Sequence, residues 1–224
     1  MRSLYVETLV RADLDALWRA SQDPSQHQRW DARFTRITYR DSRTFEYATR
    51  VLPGLTVAGV GFSAGERHRP DGTCTSALRF ASDDPRSLIR LGSGYWRYLP
   101  GPDGVRFLTG YDYQVRWGVA GRAADLVFRP LFGWATAWSF DRLRIWLEHG
   151  VPPERARRNA LSEAAARSAL VALTLLTGSV WLVVTAAVLA AAVPPDPHTP
   201  AARRCRRRAR DLRTPAILTQ VEGH

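Results

Sequence analysis

Lysine is absent from this 224-residue chain: all 32 basic residues are arginine, set against 21 acidic residues for a net charge of +11. The bias reflects GC-rich coding more than chemistry, and much of the excess sits in a C-terminal tail, so the charge says little about the folded part. Cysteine is nearly absent as well. Cys74 and Cys205 lie far apart in different contexts, which excludes a disulfide framework and a thiolate metal cluster. His27, His149, His198 and His224 fall in helix ends, linker or tail, and His68 sits beside a turn; no metal-ligand spacing emerges from them. There is no G-x-S-x-G, no P-loop and no G-x-G-x-x-G after a strand. The sequence therefore predicts no catalytic residue, no metal and no cofactor. Met1 to Val10 alternates polar and apolar and lacks the apolar centre of a signal peptide, so the folded domain is expected in the cytoplasm.

The hydrophobic fraction of 45% is ample for a core, and the length fits one domain plus an appendage. The organising stretch is Val119–His149, opened by Gly118 and Gly121. It carries Phe128, Leu131, Phe132, Trp134, Trp138, Phe140, Leu143, Ile145, Trp146 and Leu147. Charges recur as Arg122, Asp125, Arg129, then Asp141, Arg144 and Glu148, spacings that hold one helical face toward water. The reading is a long helix that covers a large apolar surface, with a kink or break near Arg129 because Pro130 lacks an N–H.

The preceding hundred residues supply that surface. Leu4, Val6, Thr8 and Val10 share one side of a first strand. Asp13 is a plausible N-cap for a short helix with Leu14, Leu17 and Trp18, Asp23-Pro24 stops it, and a second short helix runs to Trp30. Six strands are then expected: Phe34–Arg40, Thr44–Leu52, Leu55–Glu66, Thr73–Ala81, Leu88–Leu99 and Val105–Trp117. The separators are turn chemistry such as Pro53-Gly54 and Pro70-Asp71-Gly72, which makes an antiparallel meander. Gly59-Val60-Gly61 and Gly92-Ser93-Gly94 suggest bulges or bends in a curved sheet.

The order strand, two small helices, six strands, long helix, together with "LWRASQDPSQHQRWD" from Leu17 to Asp31 and "GRAADLVFRPLFGWATAWSFDRLRIWLEHG", resembles the START-like (SRPBCC) superfamily of polyketide cyclases and lipid-transfer domains. The resemblance covers roughly residues 3–150. It implies an α+β helix-grip fold: a seven-stranded curved antiparallel sheet around the long C-terminal helix, with a cavity between them. No catalytic motif is shared across that superfamily, so none is carried over.

Residues 1–150 are thus read as the helix-grip domain and 151–168 as a charged linker helix. Ala169–Val193 is an uninterrupted apolar run without a charge. At about 1.5 Å per residue it exceeds the roughly 30 Å hydrocarbon core, and it is expected to be one transmembrane helix anchoring the chain in the cell membrane. Residues 194–224, rich in proline and arginine, read as a disordered tail whose cluster Arg203–Arg213 binds anionic lipid headgroups in preference to nucleic acid. The positive-inside rule places that cluster in the cytoplasm, which conflicts with a cytoplasmic folded domain on the other flank of a single span. The cytoplasmic domain is preferred here, since no leader for export is in view.

In the last strand Phe107, Thr109, Tyr111, Tyr113, Val115 and Trp117 share the apolar face suited to the helix. In the strand before it Tyr95 and Arg97 oppose Trp96 and Tyr98, and the alternation leaves open which set points inward. Pockets for small molecules are mostly apolar with a few placed polar groups. The expected ligand-binding residues are Tyr95, Arg97, Phe107, Thr109, Tyr111, Tyr113, Trp117, Phe128 and Phe132. Three functions are weighed: a membrane-anchored binding module for a hydrophobic small molecule (lipid, isoprenoid or polyketide-like), a cyclase- or aromatase-like enzyme using the same cavity, and, more weakly, an interaction protein with a filled core whose arginine tail recruits partners. Few carboxylates or histidines on the expected inner faces could act as a base, which favours binding.

Overall fold

The structure, a computed structural model, describes residues 3–208. Strand β1 (Leu4–Val10) leads into helices α1 (Leu14–Gln22) and α2 (Pro24–Trp30). Six strands follow: β2 (Arg36–Tyr39), β3 (Thr44–Leu52), β4 (Leu55–His68), β5 (Cys74–Ala81), β6 (Ile89–Gly101) and β7 (Gly104–Val115). They form one antiparallel sheet in the order β1-β7-β6-β5-β4-β3-β2. Short turns explain the order, because each strand pairs with its predecessor and only β1 is brought back, to lie against β7 with Val6 opposite Thr109.

Helix α3 (Gly118–His149) lies on the inner face of the sheet. It is one continuous helix through Pro130, so it has no break near Arg129. Gly121 is required where α3 leaves the sheet, since a Cβ there would sit 1.7 Å from the Arg116 carbonyl oxygen. The C-terminal half of α3 seats on a filled core. Phe140 stacks on Phe107 with ring centroids 4.4 Å apart, and Trp30, Trp96 and Tyr98 close around the pair. All five rings are buried.

The glycines on the inner face work differently from expected. Rings lie on them: Tyr47 over Gly59, Phe45 over Gly61 and Phe80 over Gly92. Register shifts occur between Arg50 and Leu52, between Ser63 and Gly65 and between Ile89 and Leu91, and not at those glycines. The missing Cβ atoms make room for cross-strand aromatics.

The segment after α3 departs most from the sequence reading. Helix α4 (Pro153–Leu175) and helix α5 (Val180–Ala192) pack on each other as a hairpin, split by a turn at residues 176–179. Gly178 takes φ +68° in that turn, a left-handed conformation that favours glycine. The expected single helix over Ala169–Val193 is therefore two helices, and among the described residues no helix is long and apolar enough to cross a membrane. Hydropathy sums over the run and does not register the Thr177-Gly178-Ser179 break. The tail also differs: residues 199–206 return to the domain, with Ala201, Ala202 and Cys205 buried. The amide of Ala201 donates to Asp141 Oδ2 at 2.8 Å, and Arg204 Nη1 reaches the same oxygen at 3.1 Å. Arg206 and Glu7 exchange backbone hydrogen bonds of 2.8 and 2.9 Å, which covers the outer edge of β1. Arg210 and Arg213 lie outside the described residues.

Phe140→Ala removes the ring on which α3 seats and should lower unfolding free energy by about 3–5 kcal/mol, read as a drop in the urea midpoint with an unchanged slope.

Candidate functional site

The two halves of α3 meet the sheet differently. The helix backbone comes close to β1 and β7 but does not approach β3, β4 or β5 to a similar extent. Alternation along the paired strands turns Phe45, Tyr47, Leu78 and Phe80 to the same face as Tyr111 and Tyr113. None of the first four is fully buried. Phe34, Phe128 and Phe132 are likewise half-buried. These half-buried rings define the candidate groove, between the N-terminal half of α3 and the β3–β5 side of the sheet and next to the Phe107–Phe140 core.

Polar groups in the groove are held by partners. Tyr113 donates to Asp125 Oδ1 at 2.6 Å, and Arg129 Nε donates to Asp125 Oδ2 at 2.8 Å while its guanidinium lies 4.4 Å from the Tyr113 ring centre. The Tyr111 and Thr136 hydroxyls are 2.5 Å apart. Burial raises both phenols above their ordinary range, and the bond to Asp125 raises Tyr113 further. Burial likewise pushes Tyr47 up to about 12. A phenol so placed stays protonated at neutral pH and makes a poor base.

Deeper in, Arg33 forms a forked pair with Asp31, Nε to Oδ1 at 2.9 Å and Nη2 to Oδ2 at 2.6 Å. Its guanidinium is 5.4–5.7 Å from the ring centres of Phe34, Phe132 and Tyr111, within range for cation–π attraction. Nη1 points at the Tyr111 hydroxyl at a long 3.5 Å. Burial on its own would raise the Asp31 carboxyl, but the charge and hydrogen bonds of Arg33, with a further bond from His27, hold it well below the usual carboxylate range. The charge of Arg33 is thus balanced by Asp31 on one side, while its Nη1 turns to Tyr111 and the aromatic wall.

Of the residues expected from sequence, Tyr111, Tyr113, Phe128 and Phe132 come together here, with ring centroids 5.1–6.3 Å apart. Phe107 belongs to the filled core. Thr109 is buried beside β1 and donates to the Tyr95 carbonyl at 2.8 Å. Tyr95 and Arg97 stand on the opposite, outer face, where the Tyr95 ring lies over Gly110. Trp117 leaves the sheet in a left-handed turn, half-exposed, with its indole N–H on the Pro85 carbonyl at 3.0 Å. Asp31, Arg33, Phe34, Asp125 and Arg129 were not anticipated as site residues. The signal for the first three was the Asp-x-Arg-Phe string directly after the α2 aromatic, Trp30.

Two further clefts lie outside the groove. One of about 360 Å³ sits between β1, the end of α3 and the returning chain. The other, of about 550 Å³, lies at the base of the α4–α5 hairpin and is lined by Trp134, Trp138 and Leu161 with Arg157 and Arg203.

Sheet order and gripped helix define an α+β helix-grip domain with an aromatic groove. No family model matches the chain. It is 47% identical over 167 residues to "Uncharacterized membrane protein YndG" of Bacillus subtilis (strain 168), an alignment that takes in 71% of this chain and 62% of that protein; the chain thus spans under two thirds of the relative's length. Among solved structures it is similar to a STAR-related lipid transfer protein fragment from Xanthomonas axonopodis (18% identity, 63% of this chain and 82% of that one, TM-score 0.47). A protein from Thermus thermophilus is also similar (15% identity, 64% and 94%, TM-score 0.48).

Because the Asp31 carboxyl is depressed from an ordinary 3.8, the stability it contributes is fully present above about pH 5 and is lost as pH falls through and below 4. Asp31→Asn should destabilise the fold by about 3 kcal/mol at pH 7 and flatten the acid limb of a Tm-against-pH curve.

Proposed function

We propose that this protein is a membrane-associated binding module that holds a hydrophobic small molecule (a lipid, isoprenoid or polyketide-like compound) in the groove between the N-terminal half of α3 and the inner face of β3–β5. The observation that carries the reading is the row of half-buried rings, Phe34, Phe45, Tyr47, Phe80, Phe128 and Phe132, each left partly exposed. Rings of this size contribute apolar contact that a folded core normally uses completely. A groove lined by them is suited to an elongated apolar ligand, and the N–H edge of Arg33 suits one carbonyl or carboxylate oxygen at its end.

The cyclase-like reading needs a group that takes a proton. Both inner-face phenols nearest α3 are committed, Tyr113 to Asp125 and Tyr111 to Thr136, and burial keeps them protonated. That favours retention over turnover.

Solvent extraction of the purified chain followed by mass spectrometry should release an apolar compound, and a fluorescent fatty-acid analogue should bind the extracted protein. Leu78→Trp fills the groove opposite Gly94 and should weaken that binding at least tenfold without lowering Tm. Undiminished binding by the variant would overturn the placement.

A further inference from the structure

We infer that α4 and α5 form a re-entrant hairpin that sinks into one leaflet of a bilayer, with residues 3–167 and 194–208 on the same side of it. The inference rests on the membrane association proposed above and specifies its geometry.

The apolar run starts and finishes on one body. Upstream, α4 begins against the domain, where Arg142 Nε donates to the Pro153 carbonyl at 2.8 Å and Arg29 pairs with Glu154. Downstream, the chain returns to Asp141, to Ala137 through the Cys205 thiol at 3.2 Å, and to Glu7. A segment tied to the same domain at both ends enters and leaves a bilayer by the same face. Its length agrees: the 13 residues of α5 rise about 20 Å, short of the roughly 30 Å hydrocarbon core.

The hairpin has the surface that hydrocarbon requires. No charged residue lies between Arg167 and Asp196. Leu176 and Trp181 at the turn are 83% and 81% exposed, and Val180, Leu182 and Val188 on α5 are each at least half exposed. At about 100° per residue, those α5 positions and Trp181 spread over roughly 200° of its circumference, while Ala186 is buried. A protein groove would cover one face of such a helix; lipid chains cover all of it. The turn also suits a dry setting, because the amides of Leu176, Thr177 and Gly178 donate to Leu173, Thr174 and Leu175, and the Thr177 hydroxyl donates to Thr174 at 2.7 Å.

The base has the opposite character. Arg167 donates to the carbonyls of Ala190, Val193 and Pro194, and Arg203 to Val193, so two arginines cap the end of α5. Arg155, Arg157 and Arg158 at the start of α4 are exposed, as are Arg207 and Arg208 beyond the return. With Trp134 and Trp138 lining the basal cleft, this collar matches an anionic headgroup layer. The conflict between a cytoplasmic domain and a basic distal flank disappears, because both arginine sets share one side.

The test uses the full chain. Cosedimentation with vesicles of phosphatidylcholine and phosphatidylglycerol in equal parts should capture the protein, and Leu176→Arg should cut the bound fraction at least tenfold. Membrane vesicles of both orientations from expressing bacteria, treated with an impermeant maleimide, should label Arg155→Cys and Arg208→Cys in the same preparation and Leu176→Cys in neither; native Cys74 and Cys205 are buried and serve as background. Labelling of the two arginine positions in opposite preparations would overturn the hairpin and leave membrane association standing. A protein that ignores the vesicles, as a monomer or as a dimer that buries its hairpins, would overturn both.

Discussion

Phe140 lies flat on Phe107 inside a closed ring of Trp30, Trp96 and Tyr98, and this packing sets where α3 can go. Its C-terminal half is drawn onto β1 and β7, the end strands brought together by the meander and the returning first strand. The helix runs on for 32 residues, and its backbone does not approach β3, β4 or β5 as it does β1. The groove follows from filling the core unevenly: the rings at the near end spend their whole surface on each other, and those at the far end stay partly exposed.

Two buried carboxylates hold the margins of this arrangement. Asp141, fully buried on α3, accepts from the Ala201 amide and pairs with Arg144 and Arg204. A carboxylate taken out of water is costly unless all its partners are present, so the returning chain has one place to dock. Asp31 does the same for the segment after α2, locking Arg33 under the aromatic wall. One carboxylate decides that the hairpin closes on the domain. The other decides that the groove has a cation at its inner end.

The two halves of the proposed function meet in α3. Its N-terminal half presents Phe128 and Phe132 to the groove, while Val127, Leu131 and Trp134 on its outer side are half or more exposed. A hydrophobic ligand barely dissolves in water, and a groove whose wall is apolar on both sides has a short path from a lipid phase. The collar of arginines around the hairpin base supplies the complementary polar boundary.

Strand positions, turns and the long α3 were legible from residues 1–150 because period-two alternation and Pro/Gly/Asp turns are local physics. The inner face of β7 was legible too, since Phe107, Tyr111 and Tyr113 alternate with Arg106, Asp112 and Gln114. The face of β6 was not: Tyr95 and Tyr98 are both aromatic on opposite sides, and only pairing with β7 turns Trp96 and Tyr98 inward and Tyr95 and Arg97 outward. Composition likewise showed that Ala169–Val193 is apolar throughout, which is a sum over residues. Whether it runs straight or doubles back depends on a turn at Gly178 and on Asp141 holding residue 201 some sixty residues away. A long-range contact of that kind leaves no local pattern, so only the tertiary structure decided it.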